Sequence, residues 1–127
     1  MVMNFLLRKI QIEGIKMNNI LSIALEERES GFNIMYTRSG YANDNCCAGH
    51  TIEIHDVVKL RPKKTELPNG WLQIKENEEH ANIWAKIKSI EGNQYSGFIT
   101  NCGWNPDFFE KEITFSEKNI FSVQKQS

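Results

Sequence analysis

Cys46, Cys47 and His50, with His55 a little further on, are the one close grouping of thiol and imidazole in the chain. Both are good zinc donors, but a tetrahedral site needs four ligands from segments that converge. Adjacent cysteines point apart, no second ligand pair follows, and a strand at His55 would fix that side chain's direction. Exposed loop thiols are the plainer account. The same residues have the types of a nucleophile and its base, because a nearby imidazole promotes the thiolate. No oxyanion-hole element accompanies them, so a small hydrolase or metal-binding domain is the least supported class. We assign no catalytic residue, no metal ligand and no cofactor, and the residues give no reason to expect an enzyme.

Glu76, Glu78 and Glu79, and again Asp107, Glu110 and Glu112, group carboxylates that would suit acid–base work if one were buried. Both groups fall in polar, loop-like stretches where solvated surface explains them. Lys59, Arg61, Lys63 and Lys64 form the densest basic patch, suited to phosphate contacts. Across the chain, 15 basic residues meet 16 acidic ones, for a formal charge of -1. That balance removes the positive field on which general nucleic-acid and membrane-surface binders depend. A nucleic-acid-binding β-barrel is kept as the alternative function.

The aromatic residues carry more information. Trp84 shares the polar parity of its segment with Lys86 and Lys88, while Ile83, Ala85 and Ile87 take the other side. Residues 104–109 place Trp104, Phe108 and Phe109 in one loop with Asp107, and Glu110 follows. Rings in a loop are tolerated when a partner or the domain's own interior covers them. The expected recognition surface is Trp84, Trp104, Phe108 and Phe109, flanked by Asp107 and Glu110. The competing expectation is that the loop rings plug the open end of the domain or pack on its helix.

The elements that must position these residues follow from periodicity. Residues 4–15 fit neither period, and residues 1–16 read as an irregular extension ahead of Met17. Asn18 or Asn19 can cap a helix whose apolar face is Ile20, Ile23 and Ala24, widened by Leu21 and Leu25 and ended by Gly31. Phe32, Ile34 and Tyr36 then alternate as in a strand. Residues 39–49 have loop composition. Ile52 and Ile54 begin a long strand that bends at Asp56 and continues through Val57, Val58 and Leu60. Pro68-Asn69-Gly70 marks a turn, and apolar runs follow at 71–74, 83–90, 95–100, 113–115 and 120–123. Glu91-Gly92-Asn93-Gln94 makes a hairpin loop between two of them. With no helical crossover after residue 50, the pattern predicts antiparallel pairing.

The 127 residues, 40% of them hydrophobic, suit one domain over 1–127 with a single core, its β-barrel part at 50–124. Three cysteines, two of them adjacent, are an odd set for a disulfide scaffold, which points to a reducing compartment and a cytoplasmic location. The apolar run near Met1 is too short for a signal peptide, and no run approaches the length of a membrane span.

Three further elements are Ile83-Trp84-Ala85-Lys86-Ile87, Tyr95-Ser96-Gly97-Phe98-Ile99-Thr100-Asn101, and Ile113-Thr114-Phe115 with Asn119-Ile120. Together, over roughly residues 71–123, they resemble a family of small bacterial domains catalogued only as domains of unknown function. Some such domains occur beside toxins as immunity proteins, so the resemblance implies a protein partner and no catalytic residue. The same stretch is similar to SH3-like and Tudor-like modules, whose surface rings hold peptides. The expected fold is therefore α+β: an N-terminal helix, then a strongly bent antiparallel sheet forming an SH3-like small β-barrel. The expected function is a non-enzymatic protein-interaction module, monomeric or homodimeric, with toxin neutralisation as its sharpest form.

Overall fold

A computed structural model of the chain describes residues 19–38, 51–68 and 81–126. Within them lie seven strands: β1 (Ile20–Leu21), β2 (Met35–Arg38), β3 (Val57–Leu60), β4 (Ile83–Glu91), β5 (Gln94–Asn101), β6 (Glu112–Ser116) and β7 (Ile120–Lys125). They form one sheet in the order β1-β6-β5-β4-β3-β7-β2. The five central strands pair antiparallel, while β1 on β6 and β2 on β7 run parallel.

Alternation dictates which face is which. Ile83, Ala85 and Ile87 of β4 point inward with Val58 and Leu60 of β3, Ile99 of β5, Ile113 and Phe115 of β6, and Ile120 and Val123 of β7. Each of the Val, Leu, Ile and Phe side chains among them contributes about 1.5–3 kcal/mol when fully withdrawn from water. The β4–β5 hairpin closes where the sequence places it. Glu91 pairs with Gln94, and Gly92 takes φ +60° at the position where a two-residue turn wants glycine. Gly97 brings β5 close to β4: a Cβ there would lie 2.5 Å from the Lys86 carbonyl oxygen.

The N-terminal helix expected from residues 18–31 is absent, and no helix among the described residues reaches seven residues. The stretch is extended instead. Ile20 and Leu21 pair with Glu112 and Ile113, Leu25 bridges to Pro62, and the Lys63 amide donates to the Ala24 carbonyl at 3.0 Å. Further on, the Glu26 amide donates to Arg61 and the Arg28 amide to Lys118, each at 2.8 Å. The physical reason is a second period hidden inside the first. Leu21, Ile23 and Leu25 alternate and pack against the core, whereas Ile20, which the helical face needed, is 48% exposed. Gly31 does take a left-handed conformation, φ +94°, but in a turn and not at a helix end.

The SH3-like barrel is corrected as well. The strands form one open seven-stranded mixed sheet, mostly β and without the helical layer of an α+β domain. Parallel pairing occurs all the same, because residues 20–21 and 35–38 lie far upstream of the strands they join, β6 and β7. The long bent strand from Ile52 is also shorter than expected. Residues 54–55 turn, His55 has φ +79°, and only Val57–Leu60 is strand. That turn is locked from below: Lys125 Nζ donates to Asp56 Oδ2 at 2.6 Å, to Glu53 Oε1 at 3.0 Å and to the Thr51 carbonyl at 2.6 Å.

Candidate functional site

The loop after β5 was expected to present rings, and it divides them. Trp104 is only 6% exposed and belongs to the core cluster. Phe108 meets it edge-on at 5.4 Å and is half-buried against the same core. The Trp104 indole Nε1 is buried with no acceptor among the described residues. A 3-10 turn at Pro106–Phe108 holds this arrangement, with Asn105 Oδ1 accepting from the Asp107 amide at 3.2 Å. The loop is stitched to β5 by the Glu110 amide to the Ile99 carbonyl and the Ile99 amide to the Lys111 carbonyl, at 2.8 and 2.9 Å. Cys102, under the same loop, is buried, and that burial raises its thiol pKa to about 11 against backbone hydrogen bonds from Asn105 and Trp104. It is a packing residue and a poor nucleophile.

Trp104 and Phe108 are therefore withdrawn from the expected surface. Asp107 and Glu110 remain exposed, and Phe109, 57% exposed, turns outward. Phe109 joins a different set of residues on the outward side of the sheet. Lys86 lies opposite Phe98 on β5, and Lys59 lies opposite Trp84. Since Ile83, Ala85 and Ile87 face inward, Trp84, Lys86 and Lys88 face out together, as the alternation required. Phe98 is 45% exposed, and with Lys86, Ile99, Thr100, Phe109 and Glu110 it lines a shallow groove.

Cations sit over these rings. Lys59 Nζ is 5.8 Å from the Trp84 ring centre and Lys88 Nζ is 5.2 Å from that of Phe98. Lys88 also bonds Glu112 Oε1 at 2.6 Å. Leu60 and Pro62 are buried, so Arg61 shares the outward side with Lys59, and its guanidinium stacks 4.3 Å over Phe121. Each contact is worth roughly 0.5–1 kcal/mol at an exposed site. The basic patch read from the sequence is thus split. Lys59 and Arg61 join rings on this face, whereas Lys63 and Lys64 lie exposed at the 3-10 turn that follows.

Phe98 and Lys86 are the functional candidates that sequence reasoning passed over. The signal was present: Phe98 has the outward parity between Gly97 and Ile99, as Trp84 does between Ile83 and Ala85. Cys46, Cys47, His50, Glu76, Glu78, Glu79 and His80 lie outside the described residues. Among the described residues no three His, Cys, Asp or Glu side chains gather as metal ligands, and no helix is long and apolar enough to cross a membrane.

Fold and face together define a small β-sheet domain with a ring-and-cation surface opposite its core. Comparison with family models, curated proteins and solved structures gave no match for this chain.

Proposed function

We propose that the chain is a non-enzymatic protein-interaction module that binds through the outward face of β3, β4 and β5. The observation that carries this reading is the pair Phe98 and Phe109, two large rings 45% and 57% exposed across one groove. Rings of this kind, with cations at the edge, supply most of the binding energy at interfaces, because they lose much apolar surface and little conformational freedom on docking. Neutralisation of a toxin is the sharpest form of the proposal, and cytoplasmic residence accompanies it.

Single-stranded nucleic acid is a second reading, favoured by the interleaving of Lys59, Lys86 and Lys88 with Trp84 and Phe98. Against it, Trp84, Phe98 and Phe121 each already carry a cation over the ring. A base would have to displace that cation in order to stack, whereas a peptide carboxylate can meet it in place.

The test is to identify a partner by crosslinking in the source cells, purify it, and measure its affinity for the chain and for Phe98→Asp/Phe109→Asp. A loss of about a hundredfold, corresponding to two decades at about 1.4 kcal/mol each, with unchanged melting temperature is expected. Equal affinity would remove the proposal. Binding of oligothymidylate that falls steeply with salt and is lost in Lys59→Glu/Lys86→Glu would install the nucleic-acid reading in its place.

A further inference from the structure

We infer that, when no partner is bound, this face is covered by the same face of a second copy of the chain, through a two-fold axis that lies in the contact and runs along β5. The inference goes beyond the interaction reading: it concerns what closes the face, and does not depend on which partner opens it. It is carried by one row of residues that crosses five strands. In register, Val57 lies beside Lys86, Lys86 beside Phe98, Phe98 beside Glu112, and Glu112 beside Ile20. Registered neighbours point to the same side of a sheet. The residues that follow or precede them, Val58, Ala85, Ile99, Ile113 and Leu21, pack in or against the core, so the row faces outward. Ile20 and Phe98 are 48% and 45% exposed, and Lys86 is exposed with them.

The row reads apolar, cation, ring, anion, apolar, and is therefore complementary to itself. A half-turn about β5 sets Lys86 of each copy against Glu112 of the other, Val57 against Ile20, and Phe98 against its twin on the axis. That exchange, in which each residue meets its counterpart's opposite, is the condition for an isologous contact. The charges around the row keep the same sidedness. Lys88 lies on the β4 side with Lys86, and its contact with the Phe98 ring places it on the outward face despite the irregularity of β4 there. Glu110 lies on the β6 side with Glu112, because its amide donates to the Ile99 carbonyl along that edge of β5. Lys111, between the two acids, is half-buried and already engaged. Lys59 and Arg61 lie beyond β4, over Trp84 and Phe121, outside the pairing. Lys88 takes Oε1 of Glu112, and among the described residues no bond reaches Oε2 or the Lys86 ammonium, so Lys86 of the second copy can bond Glu112 without breaking the existing pair. Sheet twist carries the outer rows away from each other, so the contact centres on this row and is small enough for a partner to displace.

Sedimentation equilibrium of the purified full chain, from about 1 μM to about 1 mM, is expected to show monomer and dimer in exchange. Lys86→Glu and Glu112→Lys should each weaken the dimer about tenfold, because each sets like charges together twice, while melting temperatures stay near that of the wild type. Mixed in equal amounts, the two variants should recover pairing with one another, since both contacts then join opposite charges. Phe98→Asp should be monomeric, because it sets two carboxylates on the axis. A wild-type chain that stays monomeric overturns the inference. So does a dimer that Lys86→Glu or Phe98→Asp leaves intact, or a mixture of folded variants that fails to recover. None of these results touches the partner assay above. Partner affinity that survives in Phe98→Asp/Phe109→Asp removes the interaction reading and leaves the dimer standing.

Discussion

Trp84 and Trp104 sit twenty residues apart and have opposite fates. Trp84 is in a strand, on the outward parity, half-buried beneath Lys59. Trp104 is in a loop, where no parity constrains it, and the loop folds it into the core beneath Phe108. Lys86 and Lys125 repeat the contrast in charge. One ammonium stands in water, and the other is held on the inward side by Asp56, Glu53 and a backbone carbonyl. An exposed ring or charge in this sheet costs little stability and is available for binding; a buried one is committed to the fold. Substitutions on the two sides should therefore separate stability from binding.

The largest effect is expected at Trp104. Trp104→Ala should cost about 3–5 kcal/mol by urea unfolding, since it leaves a cavity under the loop. If that variant kept its stability and lost partner binding, the assignment of Trp104 to the core would be wrong. Lys125→Met should cost a comparable 3–5 kcal/mol, because Asp56 would remain buried without its partner. The wild type gives an independent check through pH. Burial pulls the Lys125 ammonium pKa down, but hydrogen bonds and charge attraction from Asp56 and Glu53 outweigh this and hold it above its ordinary 10.5. The stabilisation is thus full below that value and is lost as pH rises through the higher, folded-state one. Alkaline melting curves should steepen above about 10.5 in the wild type and not in Lys125→Met.

Gly97→Ala ranks next, at about 1–3 kcal/mol, because its new methyl meets the Lys86 backbone and forces β4 from β5. It should also perturb the groove, so its binding loss would exceed that of a purely inward change of equal cost. Smallest are Phe98→Ala and Phe109→Ala, each within about 0.5 kcal/mol in stability while weakening the partner complex. A large drop in melting temperature for either would place it on the same side of the contrast as Trp104.

Legibility followed the same line between strand and loop. β4, β5, their Gly92-Asn93 turn, β6 and β7 could be read because period-two alternation and turn chemistry are local. The outward stance of Trp84 came with them. Residues 19–31 could not be read this way, because Ile20, Leu21, Ile23, Ala24 and Leu25 satisfy a helical stripe and an alternating one together. The choice fell to partners distant in sequence, namely β6 and the Arg61–Lys63 backbone, which supply hydrogen bonds to an extended chain. Trp104 was illegible for the reason that makes it stable: its environment is a property of the assembled core, and nothing in the loop's composition separates a plug from a docking surface.

The parallel flanks have a consequence for the order of folding. Among the described residues β2 finds its strand partner only in β7, and β1 only in β6, so these pairings must wait until the downstream strands exist. The β4–β5–β6 meander can assemble first from neighbours in sequence, whereas loop closure over most of the chain precedes any gain at the flanks. During synthesis, Ile20 to Tyr36 would thus emerge as unpaired apolar chain, and slowing translation past Ser116 should lengthen the interval in which a chaperone can be captured on it.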